Sequence, residues 1–189
     1  MGENLQEISD EEIIRLIQSG KINLLSLIIE RYEKKLGRYA KKFLSDSDEI
    51  NDVLQEIFIK VYVNINSFEL TKKFSPWVYR IAHNELVNTL KKKKKNIFPL
   101  LNLDIFLPYN ISKESIDKDN QNRDIKNLIE NCLDKLSVLY REPIILFYLE
   151  NLSYKEISEI LRIPVSTVGI RVKRAKEKMK NILEKQKNI

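Results

Sequence analysis

An all-α protein of two small helical domains is the fold class the sequence predicts, and three observations predict it. Apolar residues recur at three- and four-residue intervals along most of the chain, with no sustained apolar-polar alternation of the kind a strand requires. Glycine and proline are scarce, 4 and 5 in 189 residues, against abundant Leu, Ile, Lys and Glu. A stretch holding Pro99 and Pro108 and ending in ISKESIDKDNQN breaks the helical period, so residues 96–122 read as a flexible linker between domains at 1–95 and 123–189. A chain of this length suffices for one ordinary domain or two small ones.

The first helix is announced by Ser9 with Glu12 three residues on, a capping-box spacing, followed by Ile13, Ile14, Leu16 and Ile17 and closed by Gly20. A longer helix is expected from about Asn23 to Leu44, burying Leu24, Leu27, Ile28, Tyr32, Leu36, Tyr39 and Phe43 and exposing a basic face. The next, Ser45 to Ile59, is the reverse. It gathers Asp46, Asp48, Glu49, Asp52 and Glu56 without one Lys or Arg, the carboxylates lying toward the end where the helix dipole favours them. Ile50, Val53, Leu54, Ile57, Phe58 and Val61 form its buried stripe, which leaves Asp52, Gln55, Glu56 and Ile59 in a row on another face. An exposed isoleucine among acids fits a partner that carries basic and apolar groups.

Val63 to Phe74 reads as a loop, and Ser75-Pro76 restarts a helix with proline in its first turn. In FSPWVYRIAHNELVNTLKKKKK, Val78, Ile81, Ala82 and Leu86 point inward, while Arg80, Asn84, Asn88 and Lys91 form a polar stripe with Phe74, Trp77 and Tyr79 at its entrance. Rings beside a basic stripe suit bases that have left the duplex. Trp77 reads equally as core. The apolar run NIFPLLNLDIFLPY in the linker must pack on a domain or dock on a partner.

The second domain opens with a helix carrying Ile125, Leu128, Ile129, Cys132, Leu133 and Leu136, then one with Leu139 and Ile144 to Leu149 that has Pro143 in its first turn. Next comes NLSYKEISEILRIPVSTVGIRVKRAKEKMK. Ser153 and Glu156 form a second capping box ahead of Ile157, Ile160 and Leu161; Arg162-Ile163-Pro164 interrupts, and a second helix follows at once. This is a helix-turn-helix, whose second helix enters the major groove. Arg171, Lys173, Arg174, Lys176, Lys178 and Lys180 make its outer face basic, opposed only by Glu177, while Val165, Val168, Val172, Ala175 and Met179 keep an inward stripe. A lysine-rich surface helix need not bind DNA, but the cap and the turn favour it.

Net charge is +6, unevenly placed: basic at 91–95 and 171–180, acidic between the first of these and the N-terminus. That distribution suggests more than one charged partner. A single histidine, a single cysteine and no phosphate-cradling glycine loop argue against an enzyme, and neither a metal nor a cofactor is expected. With no signal peptide and no apolar run of membrane-spanning length, a cytoplasmic protein is expected.

The helix-turn-helix residues resemble the fourth conserved region of bacterial RNA polymerase sigma factors, the extracytoplasmic-function (ECF) group in particular, whose pattern is roughly LSYxEIAExLGIPxGTVKSRxxRAxxxL. Ser158 stands in place of alanine, Arg162 in place of glycine, and Gly169-Ile170 in place of a basic residue and serine. DEINDVLQEIFIKVY is similar to the second-region pattern DAEDLxQExFxxxW, and FSPWVYRIAHNELVNTLK to FxxWLYRIAxNxxxDxLR, with Asn88 in place of aspartate. The resemblance covers roughly residues 10–92 and 124–184. It implies a promoter-specific initiation factor that is not an enzyme. Asp52, Gln55 and Glu56 would contact core polymerase at the clamp helices of its largest subunit. Phe74, Trp77, Arg80, Asn84 and Lys91 would meet the downstream (minus-ten) element, where Asn84 helps hold an extruded base in a pocket completed by the loop 66–75. Val165, Ser166, Thr167, Arg171, Lys173 and Arg174 would meet the upstream (minus-thirty-five) element. The linker would thread toward the RNA exit channel, and an anti-sigma factor is the expected partner of the otherwise monomeric free protein. The rival reading of the same motifs is an autonomous helix-turn-helix regulator.

Overall fold

In the computed structural model the described residues are 8–97 and 120–187, with side chains described for 8–93 and 125–185. They form eight α-helices and no strand. Two compact units result: residues up to 41 with 46–93, and 42–45 with those from 94 onward.

In the first unit α1 (Asp10–Gln18) starts at Ser9, whose side chain accepts from Glu12 N, and stops at Gly20, whose φ of 104° is a glycine's conformation. The single long helix expected next is divided. A 3-10 turn, Ile22–Leu24, leads into α2 (Leu25–Ala40), which ends four residues before Leu44. Helix α3 (Ser47–Asn64) is capped by Asp46, which accepts from Asp48 N and Glu49 N. It runs past Ile59 into the expected loop, because Val61 and Ile65 are buried and anchor the extra turn. A second 3-10 turn, Ile65–Ser67, precedes α4 (Phe74–Ile97). Ile13, Ile28, Leu36, Tyr39, Ile57, Phe74, Val78 and Ala82 make the core.

The second unit comprises α5 (Asn120–Asp134), α6 (Val138–Tyr148), α7 (Tyr154–Leu161) and α8 (Val165–Lys187). Only the C-terminal part of the apolar stripe on α5 is core. Cys132, Leu133 and Leu136 are buried, whereas Ile125 is 60% exposed and Leu128 and Ile129 are exposed too. Spacing tells which residues share a face, not how far along the helix a neighbour covers it. Pro143 lies in the middle of α6 rather than in its first turn, because Ser137 begins the helix. Arg141, 1% exposed, sends Nη2 to the carbonyls of Asp134 (2.6 Å) and Leu136 (2.9 Å), satisfying acceptors that the end of α5 leaves open. Burial holds its guanidinium below the usual arginine range.

Helix α4 reaches Ile97 and α5 begins at Asn120, so both intrude on the expected linker at 96–122. The rest of that segment, with its apolar run, lies outside the described residues.

Candidate functional surfaces

Three surfaces carry the predicted residues. The first is the outer face of α3. Ile50, Val53, Ile57 and Val61 bury one side of the helix, which turns Asp52, Gln55 and Glu56 to solvent on the other. The row does not stop at Ile59. Ile59, Tyr62 and Val63 are 55, 54 and 68% exposed and continue it at helical spacing, so acids give way to apolar groups along one ridge.

The second surface is a groove of about 360 Å³ lined by Lys60 and Asn64 of α3, Ser67 of the turn, and Trp77, Ile81, Asn84, Glu85 and Asn88 of α4. Trp77 is partly buried. Its ring packs on Phe68 (5.3 Å) and Phe74 (5.5 Å), whose own centroids are 5.6 Å apart, so two rings support a third. Phe74 is itself 0% exposed, also meeting Tyr32 at 5.4 Å, and Tyr79 is buried against Tyr39. The expectation that Phe74 contacts DNA is therefore corrected: it underpins Trp77 and offers no face to a base, and Tyr79 likewise leaves the entrance. The start of α4 turns these rings inward because Phe74 and Val78, four residues apart, share the buried side. Arg80, Asn84, Asn88 and Lys91 are exposed. From the loop 66–75 the groove takes Ser67, its other wall coming from α3. Lys60 is ion-paired with the buried Glu85, and Lys93 with Glu49 at 2.6 Å. One lysine of the 91–95 run is thus already engaged.

The third surface is on α7 and α8. Ser153 and Glu156 close both halves of the capping box, at 3.3 Å from Glu156 N and 2.7 Å from Ser153 N. The turn is tight. Arg162 adopts φ 53°, ψ 46°, Ile163 N donates to Ser158 O (3.3 Å), and the Ser158 hydroxyl donates to Ile163 O (2.6 Å). Val168, Val172 and Ala175 bury the inner side of α8, which turns Ser166, Lys173 and Arg174 outward and leaves Thr167 and Arg171 half-buried. Val165 is exposed rather than part of the inward stripe, since it precedes the first buried turn. Lys176 and Lys178 sit over the rings of Tyr148 (5.0 Å) and Tyr140 (5.3 Å), and hydrogen bonding to Tyr148 raises Lys176. Two lysine side chains of the basic end of α8 are therefore engaged with rings of α6.

Residues 28–96, which hold the α3 ridge and the groove, match the family described as Sigma-70 region 2, and residues 126–179, which hold the helix-turn-helix, match Sigma-70, region 4. The chain is 32% identical over 185 residues to the ECF RNA polymerase sigma factor SigW of Bacillus subtilis (strain 168), covering 94% of this chain and 98% of that protein. It belongs to the ECF sigma factors. A second relative, the ECF RNA polymerase sigma-E factor of Haemophilus influenzae, is 30% identical over 188 residues, covering 95% of this chain and 97% of its own. The fold is shared with the sigma factor RpoE of Bartonella quintana, solved in complex with the anti-sigma factor NepR (TM-score 0.70, 22% identity, 84% of this chain and 96% of that one).

Reading the sigma factor's sequence missed Lys60, Asn64 and Glu85 in the groove; Ile170, noted there as a departure from the family pattern, is exposed on α8. Lys60 and Asn64, four residues apart, carried a signal as the polar pair on an otherwise apolar end of α3; Glu85, hidden by burial, carried none. Three departures from the sigma pattern also have a local setting. Ser158 ties the turn, Arg162 takes the left-handed conformation, and Gly169 lies where an added Cβ would meet the Tyr154 ring at 3.5 Å. Among the described residues no cluster of His, Cys, Asp or Glu could hold a metal, and no helix is long and apolar enough to cross a membrane. Cys132 is buried, and burial pushes its thiol up, which suits a packing role.

Proposed function

We propose that this sigma factor seats on core RNA polymerase through the α3 ridge, Asp52, Gln55 and Glu56 meeting basic groups while Ile59, Tyr62 and Val63 bury apolar area. Region 2, residues 1–95, receives a base of the non-template strand in the groove. There it stacks on the open part of Trp77, with Asn84 and Asn88 offering amide groups to its edge and Arg80 and Lys91 following the backbone. Region 4, residues 123–189, lays α8 in the major groove of the upstream element. Arg171 and Arg174 suit guanine or phosphate, Ser166 and Thr167 a polar base edge, Lys173 phosphate, and the exposed Val165 and Ile170 the methyl groups of thymine. Catalysis resides in the polymerase, and the chain acts in the cytoplasm without a cofactor. The Bartonella sigma factor, solved with NepR bound, supports an anti-sigma factor as the partner that holds the free, monomeric protein.

The observation that carries this reading is the Trp77 groove. An autonomous regulator would need only the helix-turn-helix, and would have no use for a ring backed by two others and open toward amides and lysine. Two weak DNA contacts on one tethered chain also reinforce each other through effective concentration, so the free protein needs high affinity for neither element. The test is reconstitution with core polymerase and a library of promoter fragments, scored for strand opening. Specific open complexes that Trp77→Ala prevents, without loss of core binding, are expected. Tight specific binding to DNA in the absence of core would sink the reading.

A further inference from the structure

Helix α1 lies outside both matched regions, yet it touches both sides of the groove's aromatic support. From its last residue, Gln18 Nε2 donates to Ile65 O (2.7 Å) and Phe68 O (2.9 Å), the two carbonyls that bracket the second 3-10 turn. That turn supplies Ser67 to the groove, and Phe68 is one of the two rings beneath Trp77. From its first turn, Glu11 Oε1 accepts from Phe74 N (2.8 Å), fixing the start of α4 three residues before Trp77. The helix is itself anchored. Asp10 accepts from Arg31 Nη1 (2.7 Å) and from the Tyr32 hydroxyl (2.6 Å), and the Tyr32 ring packs on Phe74.

We infer that α1 is a positioning element for base capture, and that Gln18 is its principal positioning residue, setting the spacing between the Ser67–Phe68 turn and the Trp77 ring. The inference rests on the groove receiving an extruded base. Stacking falls away steeply with distance, so a slot for a planar base must hold its walls to a fraction of an ångström. Ile65 O also accepts from Phe68 N across the turn (3.2 Å), so the Gln18 amide group adds a second bond at Ile65 and reaches Phe68 O as well, tying both ends of the turn to α1. Gln18 touches no DNA. It acts through the turn.

Trp77 is the only tryptophan in the chain, so fluorescence excited selectively in tryptophan, beyond the absorption of the 8 tyrosines, reports this site alone. The test uses the full chain and a single-stranded oligonucleotide taken from the promoter recovered with core polymerase, together with versions in which an abasic residue is scanned along the downstream element. For the parent, Trp77 quenching should show one position at which loss of the base weakens binding by roughly tenfold or more. In Gln18→Glu, which replaces the donor with an acceptor facing two carbonyls, the intact oligonucleotide should bind about tenfold more weakly and come close to the abasic value, abasic binding itself being unchanged. Gln18→Lys, which restores a donor, should recover the difference between intact and abasic strands. Retention of the parent's intact-to-abasic ratio in Gln18→Glu would overturn the inference, as would an equal loss in Gln18→Lys. Should Gln18→Glu fail to fold, as judged by circular dichroism, Gln18→Leu against Gln18→Lys makes the same comparison. If no abasic position affects the parent, the base-capture reading itself fails, and the inference with it.

Discussion

Replacing Arg162 with glycine should make the region 4 unit more stable, although it removes a side chain from the turn that joins α7 to α8. Arg162 holds φ 53° and ψ 46°, a left-handed conformation that costs a residue with a Cβ about 1–2 kcal/mol. Glycine adopts it freely, but loses more freedom on folding, a penalty of about 0.5–1 kcal/mol. The Arg162 side chain is exposed, so little packing is lost. The balance is a gain of about 0.5–1 kcal/mol, which in a unit of 60–100 residues corresponds to a rise in Tm of roughly 2–8 °C. Thermal unfolding of the full chain by far-ultraviolet circular dichroism reads this. Trp77 fluorescence, confined to the region 2 unit, identifies which transition has moved. Arg162→Ala keeps the strained conformation and should melt within about 0.5 kcal/mol of the parent. A glycine variant that melts at or below the parent would refute the reasoning, since it would mean that the guanidinium stabilises the turn by more than the strain costs.

Three further outcomes are expected. Glu56→Lys reverses an exposed charge on the α3 ridge, so pull-down with core polymerase should fall to background while the melting curve stays at the parent's. Arg171→Ala should weaken binding to the upstream element by ~1–3 kcal/mol if the guanidinium meets a guanine, measured by fluorescence anisotropy with the holoenzyme; unchanged affinity would place that side chain off the DNA. Stability of the region 2 unit should fall at alkaline pH. Burial, and then the Asp10 carboxylate that accepts its hydrogen bond, hold the Tyr32 phenol far above the usual tyrosine range. Its contribution is therefore full below about pH 10, where an unfolded tyrosine ionises, and fades as pH rises beyond that. Tyr32→Phe should be less stable by about 1 kcal/mol at neutral pH and show a shallower alkaline decline; parallel curves for variant and parent would exclude Tyr32 as the source.

Much of this architecture was legible because the forces that write it are local. A capping serine must lie next to the amides it serves, so Ser9 and Ser153 marked two helix starts directly. The stripes Ile50–Val53–Ile57–Val61 and Val168–Val172–Ala175 told which sides of α3 and α8 were buried, and hence that Asp52, Gln55 and Glu56 on one and Ser166, Lys173 and Arg174 on the other face solvent. Where the reading went astray, the missing quantity was a distance between residues far apart in the chain. Phe74 has the composition of a stacking ring and the environment of a core residue, and only its neighbours Tyr32 and Phe68 decide between the two. Ile125, Leu128 and Ile129 continue an amphipathic stripe beyond the part of α5 that is covered. Pro143 was placed by its usual preference, when the helix start at Ser137 had already determined its position.

By itself, then, the order of residues determined where helices form, the buried sides of α3 and α8, the tight turn ahead of α8 and the separation of acidic from basic surfaces, since each depends on neighbours within about two turns. Tertiary structure alone decided which aromatic side chain lines the groove, that Lys60 and Glu85 pair there, and that Gln18 reaches 47 and 50 residues along the chain to hold the turn beneath it. Contacts across that separation exist only once the core has closed, and no local period records them.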